Sequence, residues 1–410
     1  MADHGCSAAR RTTVKRERGG TAAARRRLHA RARSGRLFGR CRPTGPFAVR
    51  SKAMNPTADE PATLEPPVRR AEPLPEKPPV SVIMPVLNES RHLEEAVGRV
   101  LAQDYPGEIE VVIALGPSTD DTDEIAARLV ANDPRVRTVP NPTGRTPSAL
   151  NAAIRASRHP VIVRVDGHGI LPARYISTAV RLLAETGAAN VGGLMHAEGT
   201  TPYEEAVARA MTSKLGVGNA RFHTGGGAGP SDTVYLGVFR REVLEELGGY
   251  NEEFERAQDW ELNYRIREAG YLIWFSPELE VSYRPRPTTK ALAKQYFNYG
   301  RWRRVVSRHH QGSVNLRYLA PPAALAAVAA GTVVGLSGRK VGWLVPGGYA
   351  AGILAGAAWE GRDLSPGALV RLPGVLATMH GSWGAGFLTS PKSLADRVEA
   401  GTAQAEEEPG

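Results

Sequence analysis

Asp166-Gly167-His168 places a carboxylate and an imidazole two residues apart, at the end of the apolar run Pro160-Val161-Ile162-Val163-Arg164-Val165. Both are hard-to-borderline ligands for a divalent cation. In open α/β sheets, ligands bind outside the carboxyl ends of the strands. A turn is the plain alternative for so short a triplet, and its position after a fourth expected strand favours the ligand role. A second acidic cluster, Asp259-Trp260-Glu261, follows farther along the chain. Acids at a helix start often only pair with the helix dipole. Together, however, a strand-end cation site and a separate carboxylate base equip a chain to move a group off a phosphorylated leaving group.

Other segments are weaker taken singly. Pro85-Val86-Leu87-Asn88-Glu89 either hydrogen-bonds a nucleoside or forms an ordinary loop. Ser118-Thr119-Asp120-Asp121-Thr122 reads best as helix capping, because these side chains satisfy free backbone N–H groups. Arg145 reaches a base or phosphate, or is solvated. Gln295 to Trp302 (QYFNYGRW) closes over a sugar or diphosphate, or forms an aromatic membrane belt.

The elements that must position these residues alternate. Val80–Val86 reads as a buried strand, followed by a helix capped by Ser90 with the stripe Leu93, Ala96, Val97, Val100, Leu101. Strands are expected at 110–115, 135–139, 161–165 and 190–195. Helices are expected from Asp120 or Thr122 (Ile125, Leu129 and Val130 inward), over 147–157 and 173–185, and over 262–269 just after the acidic cluster. This alternation implies an α/β fold, a mainly parallel sheet with helices on both faces.

The formal charge of +10 is misleading, because residues 1–53 hold about fifteen Lys/Arg against two acids and the remainder is slightly acidic. Nothing outside that segment calls for a nucleic-acid partner. The segment also contains both cysteines, Cys6 and Cys41, so the body has no disulfide or cysteine zinc site. It is expected to be disordered, as an anionic-surface arm, a transit-like leader, or sequence ahead of a start at Met54. Residues 54–79 are Pro/Glu-rich and expected not to pack.

Residues 319–336 and 341–359 are charge-free runs long enough to span a bilayer, joined by Ser337-Gly338-Arg339-Lys340. A buried hairpin of a soluble domain is the alternative. The basic stretch 301–310 (RWRRVVSRHH) precedes the first run, as the positive-inside rule expects of a cytoplasmic segment. Residues 366–388 read as an interfacial or partly inserted helix. The expected organisation is a tail and linker (1–79), a catalytic domain (80–310), a membrane hairpin with an interfacial helix (311–390) and an acidic tail (391–410).

In order and spacing, Val80 to Glu89, Ser118 to Thr122, Asp166 to His168, Gly248 to Glu261 and Gln295 to Trp302 resemble the bacterial family 2 glycosyltransferases of GT-A fold. With the paired spans and LPGVLATMHGSWGAGFL (372–388), the chain is most similar to the membrane-bound branch typified by succinoglycan-biosynthesis glucosyltransferases. That resemblance implies a GT-A catalytic domain followed by a transmembrane hairpin in the cell (inner) membrane. It implies a nucleotide-sugar donor, a UDP-sugar, and a lipid-linked or saccharide acceptor. Pro85, Glu89, Arg145 and Asp166 would bind the donor, and Asp166 and His168 a divalent metal, Mg²⁺ or Mn²⁺. Asp259 would be the catalytic base of an inverting transfer. Trp260, Gln295, Arg301 and Trp302 would form an acceptor-side closing element. Three departures stand out. Ala114-Leu115-Gly116 lacks the Asp that usually ends the second strand. Gln258 replaces a Glu. The Gln295-to-Trp302 spacing exceeds that of processive polymerases, which implies single-sugar transfer. A sugar nucleotidyltransferase and a catalytically inactive membrane adaptor of the same fold remain open alternatives.

Overall fold

Successive residues of the first strand, β1 (Val80–Val86), point to opposite sides, and apolar residues fill both. Val80, Val82, Met84 and Val86 join one core and Ile83 joins another. β2 (Ile109–Leu115) repeats the pattern, with Ile109, Val111 and Ile113 against Val112 and Ala114. Such strands are stable only with helices on both faces. The computed structural model describes residues 69–407, with side chains through Thr402, and shows this architecture. α1 (Leu93–Leu101) buries Leu93, Ala96, Val97 and Val100. There follow α2 (Thr122–Asn132), β3 (Val136–Pro140), α3 (Thr146–Ala156), β4 (Val161–Arg164), α4 (Tyr175–Thr186) and β5 (Asn190–Ala197). Next come α5 (Pro202–Thr212), the short α6 (Lys214–Val217) and α7 (Arg221–Thr224), β6 (Gly229–Pro230), β7 (Tyr235–Arg240), α8 (Arg241–Glu246), α9 (Gln258–Glu268) and β8 (Ile273–Tyr283).

The eight strands run in the order β3-β2-β1-β4-β7-β5-β8-β6. β1 pairs in parallel with β2 and β4, β2 with β3, and β5 with β8. β7 is inserted antiparallel between β4 and β5. The parallel half is what the βα alternation implied; β7, reached through α5 to α7 and β6 rather than one crossover helix, runs antiparallel.

Several local expectations change. Ser90 does not cap α1; its N–H donates to Asp120 Oδ2 at 3.2 Å. The N-cap of α2, Asp121, makes no side-chain cap bond, but Asp120 Oδ1 accepts from the N–H of Thr122, the first helical residue, at 3.2 Å, as expected of 118–122, and the same segment ties down the β1–α1 loop. Val130 faces solvent. α9 starts at Gln258, so Asp259 lies in its first turn rather than ahead of it. Residues 69–79 pack: Arg69 pairs with Glu246 at 2.5 Å, and Leu74 and Ala71 lie against the two cores. The expectations for residues 1–68 lie outside the described residues.

A buried carboxylate fixes the far end of the parallel strands. Glu110, opposite Ser81 in the β1–β2 register, accepts from Ser81 Oγ at 2.5 Å, from the Arg158 N–H at 2.6 Å and from Arg137 Nη2 at 3.2 Å. Burial alone would raise its pKa, but these bonds outweigh it and bring the carboxyl down to about 2. A pKa below the unfolded value makes this a stabilisation that is complete above about 4.5 and lost as pH falls toward 2. Glu110→Gln should therefore cost roughly 1–3 kcal/mol at pH 7, with the deficit shrinking below pH 4.5. Thermal unfolding of both proteins across that range checks this. A deficit equal at pH 7 and near pH 2.5 would assign the loss to packing instead.

Five helices complete the described chain: α10 (Thr289–His309), α11 (Leu316–Leu336), α12 (Leu344–Glu360), α13 (Pro366–Thr389) and α14 (Lys392–Glu407). A single 3₁₀ turn, Lys340–Trp343, leads into α12. Leu316–Leu336 and Lys340–Glu360 are each long and apolar enough to cross a membrane. Only 17% of each apolar window is buried, unlike the mostly buried core helix of a soluble domain. α13, expected at an interface, is a continuous helix whose Leu372, Val375, Leu376 and Met379 pack with α5 residues Ala206, Val207 and Ala210. Its glycines serve close approach to α10: a Cβ at Gly386 would collide with the Phe297 carbonyl, and one at Gly300 with that of Trp383. The expected acidic tail contains α14, whose Leu394, Ala395 and Val398 are buried with Phe254 and Trp302.

Candidate active site

β4 ends at Arg164, and the side-chain alternation continues past it. Val163 and Val165 face one core, while Ile162, on the other face, shares its side with Arg164 and Asp166 by the two-residue period. The Arg164 side chain is only 7% exposed. Its Nε donates to Asp166 Oδ1 at 3.1 Å, and its Nη1 donates to Asp259 Oδ1. One buried guanidinium thus joins the two carboxylates that the sequence separates by more than ninety residues. Arg164 had no role in the sequence-based expectation; the signal was an arginine inside an apolar strand, two residues before Asp166.

The loop that leads to Asp259 is held from α3. Asn151 Nδ2 donates to the Tyr250 carbonyl at 2.7 Å and to Glu252 Oε1 at 3.0 Å, and the Tyr250 N–H returns to Asn151 Oδ1 at 2.8 Å. Ser148 Oγ donates to Glu252 Oε2 at 2.5 Å. The loop then enters α9 through Ala257, which adopts φ +65° as N-cap. Left-handed backbone at a non-glycine costs free energy and is found at functional sites. Burial raises the pKa of Asp259; the Arg164 charge opposes the rise and the Asp166 charge adds to it.

His168 and Glu89 meet: Nδ1 lies 2.8 Å from Glu89 Oε1. That bond raises the histidine's pKa, burial opposes it, and the charges of Glu89 and Asp166 add to it. Glu89 is itself fixed. Its N–H donates to Thr122 Oγ1 at 2.8 Å, and Asn88, at φ +56°, accepts from the Thr119 N–H at 2.8 Å while its own N–H donates to Ser118 Oγ at 3.0 Å. Pro85 lies beside Ala114 at the C-terminal end of β1.

Among the described residues, no three His, Cys, Asp or Glu side chains gather into a metal cluster. The Asp166 carboxylate would suit a cation completed by diphosphate oxygens and water, the way Mg²⁺ is usually held, with His168 adding a nitrogen ligand of the kind borderline metals accept. A carboxylate behind one imidazole nitrogen is the usual support of a ligating histidine, and Glu89 provides it, leaving Nε2 as the remaining ligand atom.

The other expected site residues divide. Gln295 Nε2 donates to the hydroxyls of Tyr283 and Tyr299, each at 2.9 Å. The pKa of Tyr235 is raised by burial and then by the Asp166 charge. Arg145 pairs with Glu253 at 3.6 Å and lines a cavity of about 170 Å³ with Trp302 and α14, whose lining does not include Asp166. Trp302 packs on Phe254, and Trp260 stacks on Tyr264 at 5.5 Å, so both tryptophans are core residues. Arg301 lies at the α10–α13 crossing, its carbonyl accepting from Ser390 Oγ at 3.0 Å.

A family model described as glycosyl transferase family 2 matches residues 81–248. The succinoglycan biosynthesis protein ExoA of Rhizobium meliloti (strain 1021) is 34% identical over 313 residues, covering 75% of this chain and 93% of that protein. A dolichyl N-acetyl-alpha-D-glucosaminyl phosphate 3-beta-D-2,3-diacetamido-2,3-dideoxy-beta-D-glucuronosyltransferase of Methanococcus voltae is 23% identical, covering 59% of this chain and 77% of that protein. Among solved structures, the mannosyltransferase PcManGT from Pyrobaculum calidifontis, in complex with GDP-Man and Mn²⁺, is similar with a TM-score of 0.50 at 22% identity, over 80% of this chain and 91% of that one. That last likeness is one of fold, and the fold is that of a GT-A glycosyltransferase. The chain belongs to glycosyl transferase family 2.

Proposed function

We propose that this glycosyltransferase moves a single sugar, with inversion, from a nucleotide-sugar donor to a lipid-linked or polysaccharide-precursor acceptor at the cytoplasmic face of the cell membrane. The observation that carries the proposal is the pair of carboxylates, Asp166 at the β4 end and Asp259 at the α9 start, joined by Arg164. Asp259 is the base that takes the acceptor hydroxyl proton while the oxygen attacks the anomeric carbon from the face opposite the diphosphate. This is the geometry of inverting glycoside hydrolysis with an alcohol in place of water. Pro85 and Glu89 line the nucleotide side, and Gln295 with its tyrosines borders the sugar. Asp166 and His168 would hold the divalent metal, Mg²⁺ or Mn²⁺, which when bound neutralises charge on the departing diphosphate. The Mn²⁺ and GDP-Man of the solved mannosyltransferase support a metal and a nucleotide sugar, and the family resemblance points to a UDP-sugar as donor. The name of the Methanococcus relative supports a lipid-linked saccharide as acceptor. A panel of UDP- and GDP-sugars with membrane lipid extract, with and without Mn²⁺, tests the reading by nucleoside diphosphate release. Release of pyrophosphate would support a nucleotidyltransferase instead, and donor binding without turnover an inactive adaptor.

The uncovered apolar faces of α11 and α12 support a multi-pass membrane protein, with the body cytoplasmic and the link at Ser337 on the far side. Two spans joined by a short link return the chain to the side it left. With Cys6 and Cys41 replaced, Ser337→Cys should be labelled from outside intact spheroplasts, and the protein should stay on membranes through alkaline carbonate. Recovery in the carbonate supernatant would remove the spans from the account.

A further inference from the structure

Between α9 and the start of α11 lies a group of hydrogen-bond donors without acceptors. Arg303 stands between two aromatic faces, 4.3 Å from the Trp260 ring and 4.3 Å from that of Tyr318. Its Nε and Nη1 are closed from solvent and bond to nothing among the described residues. The same holds for Nε1 of Trp260, Nε1 of Trp383 and Nε of Arg317. Tyr318 stacks on Trp383 at 6.4 Å and also receives the Arg317 guanidinium, 4.9 Å from its ring. Asp232 accepts from Arg317 Nη2 at 2.5 Å and is committed to that arginine, while Arg303 makes no ion pair among the described residues. Buried polar groups are almost always bonded. Arg303 is only partly buried, so its charge stays open to solvent, while the five donors around it lack an acceptor that an anion would supply.

We infer that Arg303, Trp260 and Trp383 form the seat of a phosphate or diphosphate group, carried by the acceptor. This rests on the lipid-linked acceptor proposed above and identifies the part of it that is bound. Position supports the assignment. Trp260 follows Asp259 on α9, and Tyr318 is the third residue of a helix with an uncovered apolar surface, so the seat lies between the proposed base and the membrane segment. A phosphate offers acceptors on every side and matches guanidinium and indole N–H donors.

The test uses the full chain in detergent, with geranylgeranyl diphosphate, geranylgeraniol and inorganic pyrophosphate as probes, followed by tryptophan fluorescence and thermal shift. The wild type should bind the prenyl diphosphate well above the alcohol. Arg303→Met, which keeps an apolar chain between the rings, should weaken that binding about ten-fold or more. Asp232→Asn, which removes the competing carboxylate, should strengthen it, a gain that a merely structural cluster would not produce. If Arg303→Met also lost nucleoside diphosphate binding, and with it its fold, the direction of the Asp232→Asn change would decide. Equal binding of diphosphate and alcohol, equal binding by wild type and Arg303→Met, or weaker binding by Asp232→Asn would each overturn the seat. Inorganic pyrophosphate binding as tightly as the prenyl form would support the seat and assign it to a soluble ligand. Sugar transfer separates the two claims: transfer to prenyl-linked acceptors that is indifferent to Arg303→Met sinks the seat alone. Arg303-dependent binding without transfer to any lipid sinks the lipid acceptor alone.

Discussion

Asp259→Asn should reduce turnover by about 10²–10⁴ while leaving donor affinity nearly unchanged. The substitution keeps size, and its amide oxygen can still accept from Arg164 Nη1, so the site's internal bond has a substitute. What disappears is the proton acceptor for the attacking hydroxyl. A fall in kcat without a matching rise in donor KM is therefore the expected signature, since the interaction matters only in the transition state. Turnover near the parent's would remove Asp259 from the chemistry and leave it as a partner of Arg164.

Asp166→Ala should lower transfer by about 10²–10³, the usual loss on removing a group that supports developing charge. Unlike Asp259→Asn, it should act through the donor, raising its KM and shifting the Mn²⁺ requirement upward. Glu89→Gln should do the same more weakly, costing about 10–100-fold in metal affinity, because it removes the carboxylate that orients His168. If transfer by the parent enzyme is indifferent to EDTA, the metal assignment falls, and Asp166 is left as an anchor for Arg164.

The parallel half of the sheet was legible in the sequence because strands buried on both faces leave unbroken Val/Ile runs, and Val80–Val86 matched residue for residue. Asp166 and Asp259 were legible as acids placed where α/β folds put chemistry. Their connection was not. Arg164 sits inside the run that marked the strand, and only the approach of α9 gives its charge two partners. The same blindness to long-range packing hid that Trp302 packs into a cluster built by α9, α10 and α14. Residues 391–402 read as tail because their apolar positions are few; three of them, Leu394, Ala395 and Val398, suffice once Phe254 and Trp302 provide a surface. HGSWGAGFL gave no sign of its partner either, since glycines chosen for close approach leave no apolar stripe to read.

The most direct test of the account is the mass of the lipid product formed from membrane extract and a single nucleotide sugar, measured with the nucleotide released. The account predicts an acceptor heavier by one sugar residue, with one nucleoside diphosphate freed per sugar moved. A ladder of added sugars, or pyrophosphate in place of nucleoside diphosphate, would contradict it.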